Sequence, residues 1–79
     1  MTDDRHIREV AEVISRQLAS RPEAADTAEG IANWWLHSQR TEIAPAIVEA
    51  ALSLLVSRGQ LVTAVEPGGR TLYRPFGKA

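Results

Sequence analysis

Residues 47–75 read IVEAALSLLVSRGQLVTAVEPGGRTLYRP, and this stretch decides the fold. Its first part places apolar residues at helical spacing, and Gly59 stands where a left-handed glycine commonly ends a helix. After Gly59 the residues are largely β-branched and partly alternate, and the Pro-Gly-Gly segment at 67–69 is a strong turn signal. The stretch therefore predicts a helix over about 45–58 and a β-hairpin over about 60–74.

Two further amphipathic segments precede this stretch. In the first, apolar residues recur every three or four positions, which predicts a helix over about 4–20. In the second, Asp26 and Glu29 match a capping box, which predicts a short helix over about 27–37. Pro45 then suits the first turn of the third helix, since proline is favoured at that position. The fold class is therefore mainly α, with three helices and a C-terminal β-hairpin.

Length and composition restrict the function classes. The 79 residues fit one domain, over 1–79, and a chain this short leaves dimerisation open as a source of stability. The formal net charge of -1 argues against a strongly basic, polyanion-binding protein. Cysteine is absent, no apolar run approaches ~18 residues, and the first ten residues lack the apolar core of a signal peptide. We expect no disulfide, no membrane segment and a cytoplasmic location.

The order of the elements resembles the winged helix-turn-helix of bacterial regulators. The resemblance covers nearly the whole chain. The positions that carry it are Val48, Ala51, Leu52, Leu55, Gly59, Leu61 and Tyr73. The resemblance implies a small regulatory domain that binds DNA. It would place the third helix in the major groove and the hairpin, or wing, on the backbone or in the minor groove.

The outward face of the third helix favours a different function. Helical spacing places five residues there, Ala46, Glu49, Ala50, Ser53 and Ser57. Reading bases requires Arg, Lys, Asn or Gln, which this face lacks, and Glu49 would repel phosphates. Small residues let another helix or a flat surface approach closely, although Ala and Ser are also ordinary helix-surface residues. Our first hypothesis is a non-catalytic regulatory or adaptor module that binds a protein partner, or itself as a homodimer.

Trp34 is assigned to the same interface. It lies about 100° around the second helix from Trp35, off the core face, and an exposed Trp is a common interface anchor. The alternative is that both tryptophans are buried against the first helix or the hairpin, because Trp is highly buried on average.

The second hypothesis is a DNA-binding transcriptional regulator that contacts the backbone through the wing and the turn between helices. Its candidate contacts are Arg40, Arg70, Arg74 and Lys78. Residues 60–79 hold three bases and one acid, a net of +2, whereas residues 1–44 hold eight acids and five bases, a net of -3. The same arginines are also explained as the solvated side of an exposed hairpin.

The sequence indicates neither catalysis nor metal binding. His6 and His37 stand on different helices, and neither has a second His or a carboxylate at metal-ligand spacing. No Ser occurs in a nucleophile elbow, and the glycines at 68–69 open no helix that could cradle a phosphate. We expect no enzyme activity, no cofactor and no metal.

Overall fold

The computed structural model describes residues 4–20 and 25–76. The elements in chain order are α1 (Asp4–Ala19), α2 (Ala28–Gln39), α3 (Pro45–Ser57), β1 (Leu61–Val65) and β2 (Thr71–Pro75). This order confirms the three helices and the hairpin expected from the sequence, and each boundary falls within two residues of its prediction.

An apolar core forms where the helices and the start of the hairpin meet. Its buried members are Ile7, Val10, Ala11, Ile14, Leu18, Ile31, Trp35, Val48, Ala51, Leu52, Leu55 and Leu61. Among the described residues no polar or charged side chain is buried with them. The core is therefore held by apolar burial, worth roughly 25 cal/mol per Å², and its helical members follow the spacing of the sequence.

The end of α3 leads directly into β1. Gly59 adopts a left-handed φ of 76°, as the sequence predicts, and its N–H donates to the Val56 carbonyl at 3.0 Å. The next N–H, of Gln60, donates to the Leu55 carbonyl at 2.9 Å. These two bonds form a Schellman motif, which satisfies the last carbonyls of the helix and reverses the chain.

The hairpin has a one-to-one antiparallel register in which Thr63 faces Tyr73 and Val65 faces Thr71. Its loop closes through two bonds: Gly69 N–H donates to the Glu66 carbonyl at 2.8 Å, and Glu66 N–H donates to the Arg70 carbonyl at 2.9 Å. Gly69 has a φ of 91°, which a residue without Cβ adopts without steric cost. The loop is thus a three-residue turn with glycine at its left-handed position.

A single residue before α2 joins this hairpin. Asp26 N–H donates to the Tyr73 carbonyl at 3.0 Å, and Tyr73 N–H donates to the Asp26 carbonyl at 2.7 Å. Asp26 thereby pairs with the edge of β2 that faces away from β1. We call this two-bond pairing the Asp26 bridge. It fixes the residue that precedes the Thr27 cap of α2 against the hairpin.

The Asp26 bridge also corrects the predicted start of α2. The N-cap is Thr27, whose Oγ1 accepts from Gly30 N–H at 3.1 Å, and not Asp26 with Glu29. Because the Asp26 backbone pairs with Tyr73, the helix begins only after it. The Asp26 carboxylate accepts instead from Thr27 N–H, at 2.8 Å, and so supports the residue that caps the helix.

Gly30 provides a test of this capping arrangement. A Cβ at Gly30 would overlap Asp26 Oδ1, so alanine must displace the carboxylate from Thr27 N–H. We expect Gly30→Ala to lower the free energy of unfolding by about 1 kcal/mol, because the clash and lost bond exceed the helix-propensity gain. Urea unfolding followed by circular dichroism measures this change.

The matched control is the same substitution in an Asp26→Ala background. There the obstructing carboxylate is gone, so Gly30→Ala is expected to raise the free energy of unfolding by up to about 1 kcal/mol. Equal effects of Gly30→Ala in the two backgrounds would contradict the contact between Gly30 and Asp26.

Candidate functional site

The outward side of α3 is largely open to solvent. We call the set Ala46, Glu49, Ala50, Ser53 and Ser57 the α3 face. Four of the five residues are exposed, as the helical spacing predicts. Ala50 departs from that expectation, because it is half-buried and packs against the core beside α1. The open part of the face therefore presents three small side chains and one carboxylate.

An open cleft of about 440 Å³ lies beside the α3 face, and we call it the hairpin cleft. Its lining includes Thr27 and Glu29 near the start of α2, Glu49 and Ser53 of α3, and Arg70 and Tyr73 of the hairpin. The Asp26 bridge positions the two sides, since it holds the start of α2 against Tyr73. Two carboxylates from different helices thus border one cleft.

Arg70 is the cation that borders this cleft, and it is paired within its own loop. Its Nε donates to Glu66 Oε1 in an ion pair. The Arg70 side chain is 68% exposed, so the pair adds little to stability. The pair does, however, place Glu66 beside Arg70, which the DNA hypothesis expects to contact a phosphate. Counting Glu29, Glu49, Arg70 and Glu66, this region has a formal net charge of -2.

Two of the proposed DNA contacts, Arg40 and Arg70, lie near opposite ends of α2. Arg40 ends α2 with a left-handed φ of 58°, whereas Arg70 borders the cleft at the other end of that helix. The 12 residues of α2 make the helix about 18 Å long at 1.5 Å per residue. Arg74 is exposed on β2, and Lys78 lies outside the described residues. Arg40 and Arg70 therefore do not form one basic patch.

Trp34 lies away from the α3 face. Its ring packs edge-to-face on Trp35, with centroids 6.1 Å apart and planes at 79°. Trp35 is buried, whereas Trp34 is half-buried and borders clefts between α1 and α2 that Gln17 also lines. The predicted interface residues thus divide between two surfaces. Helical spacing predicts the angle of about 100° between the two positions around α2, but not which neighbouring helix covers Trp34.

A cluster of basic residues lies where α1 meets the end of α3, and the sequence does not predict it. Arg8, Glu12 and Arg16 of α1 and Arg58 at the end of α3 surround an open cleft of about 490 Å³. The α1 residues follow an i, i+4 pattern that indicates only a solvated helix side. Arg58 joins them because α3 crosses α1, which no local sequence signal reports.

Residues 4–20 and 25–76 contain neither a cluster that could hold a metal ion nor a helix that could cross a membrane. No three or more His, Asp or Glu side chains in these residues are grouped so that they could hold a metal ion. None of the helices described there combines the length and apolar character needed to cross a bilayer.

The chain has no match among known protein families, curated proteins or solved structures.

Alanine substitutions of the two tryptophans test whether Trp35 is buried and Trp34 only half-buried. We expect Trp35→Ala to lower the free energy of unfolding by about 3–5 kcal/mol, as for other buried aromatics. Trp34→Ala is expected to cost about 1–2 kcal/mol, because part of its ring is already in solvent. Denaturant unfolding of both variants measures the difference. Equal losses would place Trp34 in the core and remove it as an interface candidate.

Proposed function

We propose that this chain is a non-catalytic winged-helix module, a small regulatory or adaptor protein that binds a protein partner through the α3 face. The order of three helices and a hairpin supports the winged-helix assignment. The Asp26 bridge adds support, because it ties the segment before α2 to the hairpin and so holds the wing beside the helices.

The observation that carries this proposal is the chemistry of the α3 face. Its exposed residues are Ala46, Glu49, Ser53 and Ser57, so it offers neither a cation for phosphates nor an amide for base edges. Affinity for DNA comes largely from cationic side chains that neutralise phosphates, and the negative charge of Glu49 opposes this attraction. A helix with this surface is poorly suited to the major groove.

The same surface suits a protein. Short side chains let the backbone of another element approach α3 closely, so that van der Waals contact extends along the helix. Glu29 and Glu49 border the hairpin cleft next to this surface. Carboxylates at the edge of an interface attract complementary charge and steer association. The partner surface we expect is therefore relatively flat or helical, with an Arg or Lys placed to meet these carboxylates.

The exposure of both histidines and of the cleft carboxylates supports the non-catalytic part of the proposal. His6 and His37 are both exposed, and His37 Nδ1 is 2.9 Å from the Asn33 carbonyl oxygen within the same helix. Glu29 and Glu49 border an open cleft and not an enclosed pocket. Acid–base catalysis depends on groups tuned by burial and close partners, and these groups lack that environment.

A DNA titration tests the proposal against the regulator hypothesis. Fluorescence anisotropy with labelled mixed-sequence duplex is expected to show no binding at low or physiological salt. Binding that weakens steeply with salt would contradict the proposal. If it appeared, Arg70→Ala with Arg74→Ala would locate the contact, since two lost phosphate contacts reduce the salt slope by about two units.

A site-specific crosslink tests the protein contact directly. A photoreactive benzophenone residue is placed at Ser53 on the α3 face or, as a control, at Glu9, which is exposed on α1. In the cells that produce this protein, we expect a discrete protein adduct from position 53 and not from position 9. Glu49→Arg in the position-53 variant should abolish that adduct. No adduct at 53, or the same adducts from both positions, would contradict the α3 face as the binding surface.

A further inference from the structure

The hydrogen bonds at the ends of the hairpin show which backbone groups of β1 are already used. Glu66 N–H donates to the Arg70 carbonyl at 2.9 Å, and Phe76 N–H donates to the Gln60 carbonyl at 3.1 Å. In an antiparallel pair, bonded and non-bonded residues alternate along each strand. Even-numbered residues of β1 therefore bond to β2. The backbone N–H and C=O groups of Leu61, Thr63 and Val65 point to the opposite edge.

The same alternation shows how the backbone groups at the outer edge of β2 are used. Tyr73 is the odd-numbered partner of Thr63, and its backbone groups point away from β1. They bond to Asp26 in the Asp26 bridge. Within the described residues the sheet has two strands, and no segment pairs with the outer edge of β1 in this way. One edge of the hairpin is thus occupied, while the other is open.

The open edge has the properties of a strand that accepts another strand. Thr63, Ala64 and Val65 are exposed, and Val65 is 71% exposed, the most of any large apolar residue described. The sequence of β1, LVTAV, has no charge and no proline, and its register contains no bulge. Proteins commonly use charges, proline or bulges to prevent edge-to-edge pairing, and β1 uses none of them.

We propose that a second copy of this chain pairs with the outer edge of β1, strand to strand and antiparallel. A two-fold axis at Thr63 places Thr63 opposite its equivalent and Leu61 opposite Val65 of the other copy. Every opposed pair is then uncharged, so no like charges meet, and threonine opposite threonine is a favourable cross-strand pair. The outward groups of Thr63 meet those of its equivalent and form two hydrogen bonds.

The sequence of β1 suits pairing with a second copy, because its uncharged residues are self-complementary about Thr63. Each copy supplies the same five-residue edge, and the isologous arrangement uses its full length without a free overhang. It also covers part of the exposed Val65 side chain and joins the two hairpins into one four-stranded sheet. This inference does not rest on the proposed function, because β1 is separate from the α3 face.

Sedimentation velocity from low micromolar to near-millimolar protein tests self-association. We expect a concentration-dependent monomer–dimer equilibrium. Val65→Lys adds a charge at each end of the paired edge and is expected to raise the dissociation constant at least about tenfold, with the fold checked by circular dichroism. The matched control is Ala19→Lys, which adds the same charge at an exposed position of α1 and should leave the equilibrium unchanged. A protein that stays monomeric throughout would overturn the proposal.

A disulfide crosslink tests the register. The chain has no cysteine, so a single introduced thiol reports one position. In the proposed dimer the two Thr63 Cα atoms lie about 5.5 Å apart, within the span of about 4.4–6.8 Å that disulfides bridge. Thr63→Cys should form a covalent dimer on mild oxidation, whereas Ser53→Cys should not. Crosslinking through Ser53→Cys alone would place self-association on α3 and overturn the proposed pairing.

Discussion

The two hydrogen bonds between Asp26 and Tyr73 set where α2 begins and which edge of the hairpin stays open. They join the segment before α2 to β2 and so connect the helices to the hairpin. As a consequence α2 begins one residue later, under the Thr27 cap, with Glu29 across the hairpin cleft from Glu49. The bridge also occupies one edge of the hairpin and leaves the outer edge of β1 open in the described structure. The hairpin cleft and the remaining free edge of the hairpin are thus both related to one backbone contact.

The sequence predicts the elements well because their signals are periodic or local. Apolar spacing marks the three helices, and Gly59 marks the end of α3 because only a residue without Cβ adopts its φ easily. It does not predict the Asp26 bridge, since one bridging residue has no period and its partner is Tyr73, 47 positions later. The capping prediction at Asp26 was wrong for this reason: a side chain suited to capping belongs to a residue whose backbone is paired elsewhere.

The sequence likewise predicts one part of the candidate site and not the other. The exposed residues of α3 follow from helical spacing, whereas the half-burial of Ala50 depends on how α1 crosses the helix. The Glu66–Arg70 ion pair and the position of Arg58 beside the α1 arginines also arise only in the folded chain. Formal charge counts over segments therefore describe the surface poorly. Residues 60–79 hold a net of +2, yet Arg70 is paired with Glu66 and borders a cleft that two further acids line.

Amide hydrogen exchange, measured by NMR at a low protein concentration where the chain is monomeric, tests the central role of the Asp26 bridge. The Asp26 and Tyr73 amides are predicted to exchange as slowly as helix amides in the core, because both are bonded in the bridge. The Thr63 and Val65 amides, which point to the open edge, are predicted to exchange rapidly. Exchange of the Asp26 and Tyr73 amides as fast as that of Thr63 would contradict the account.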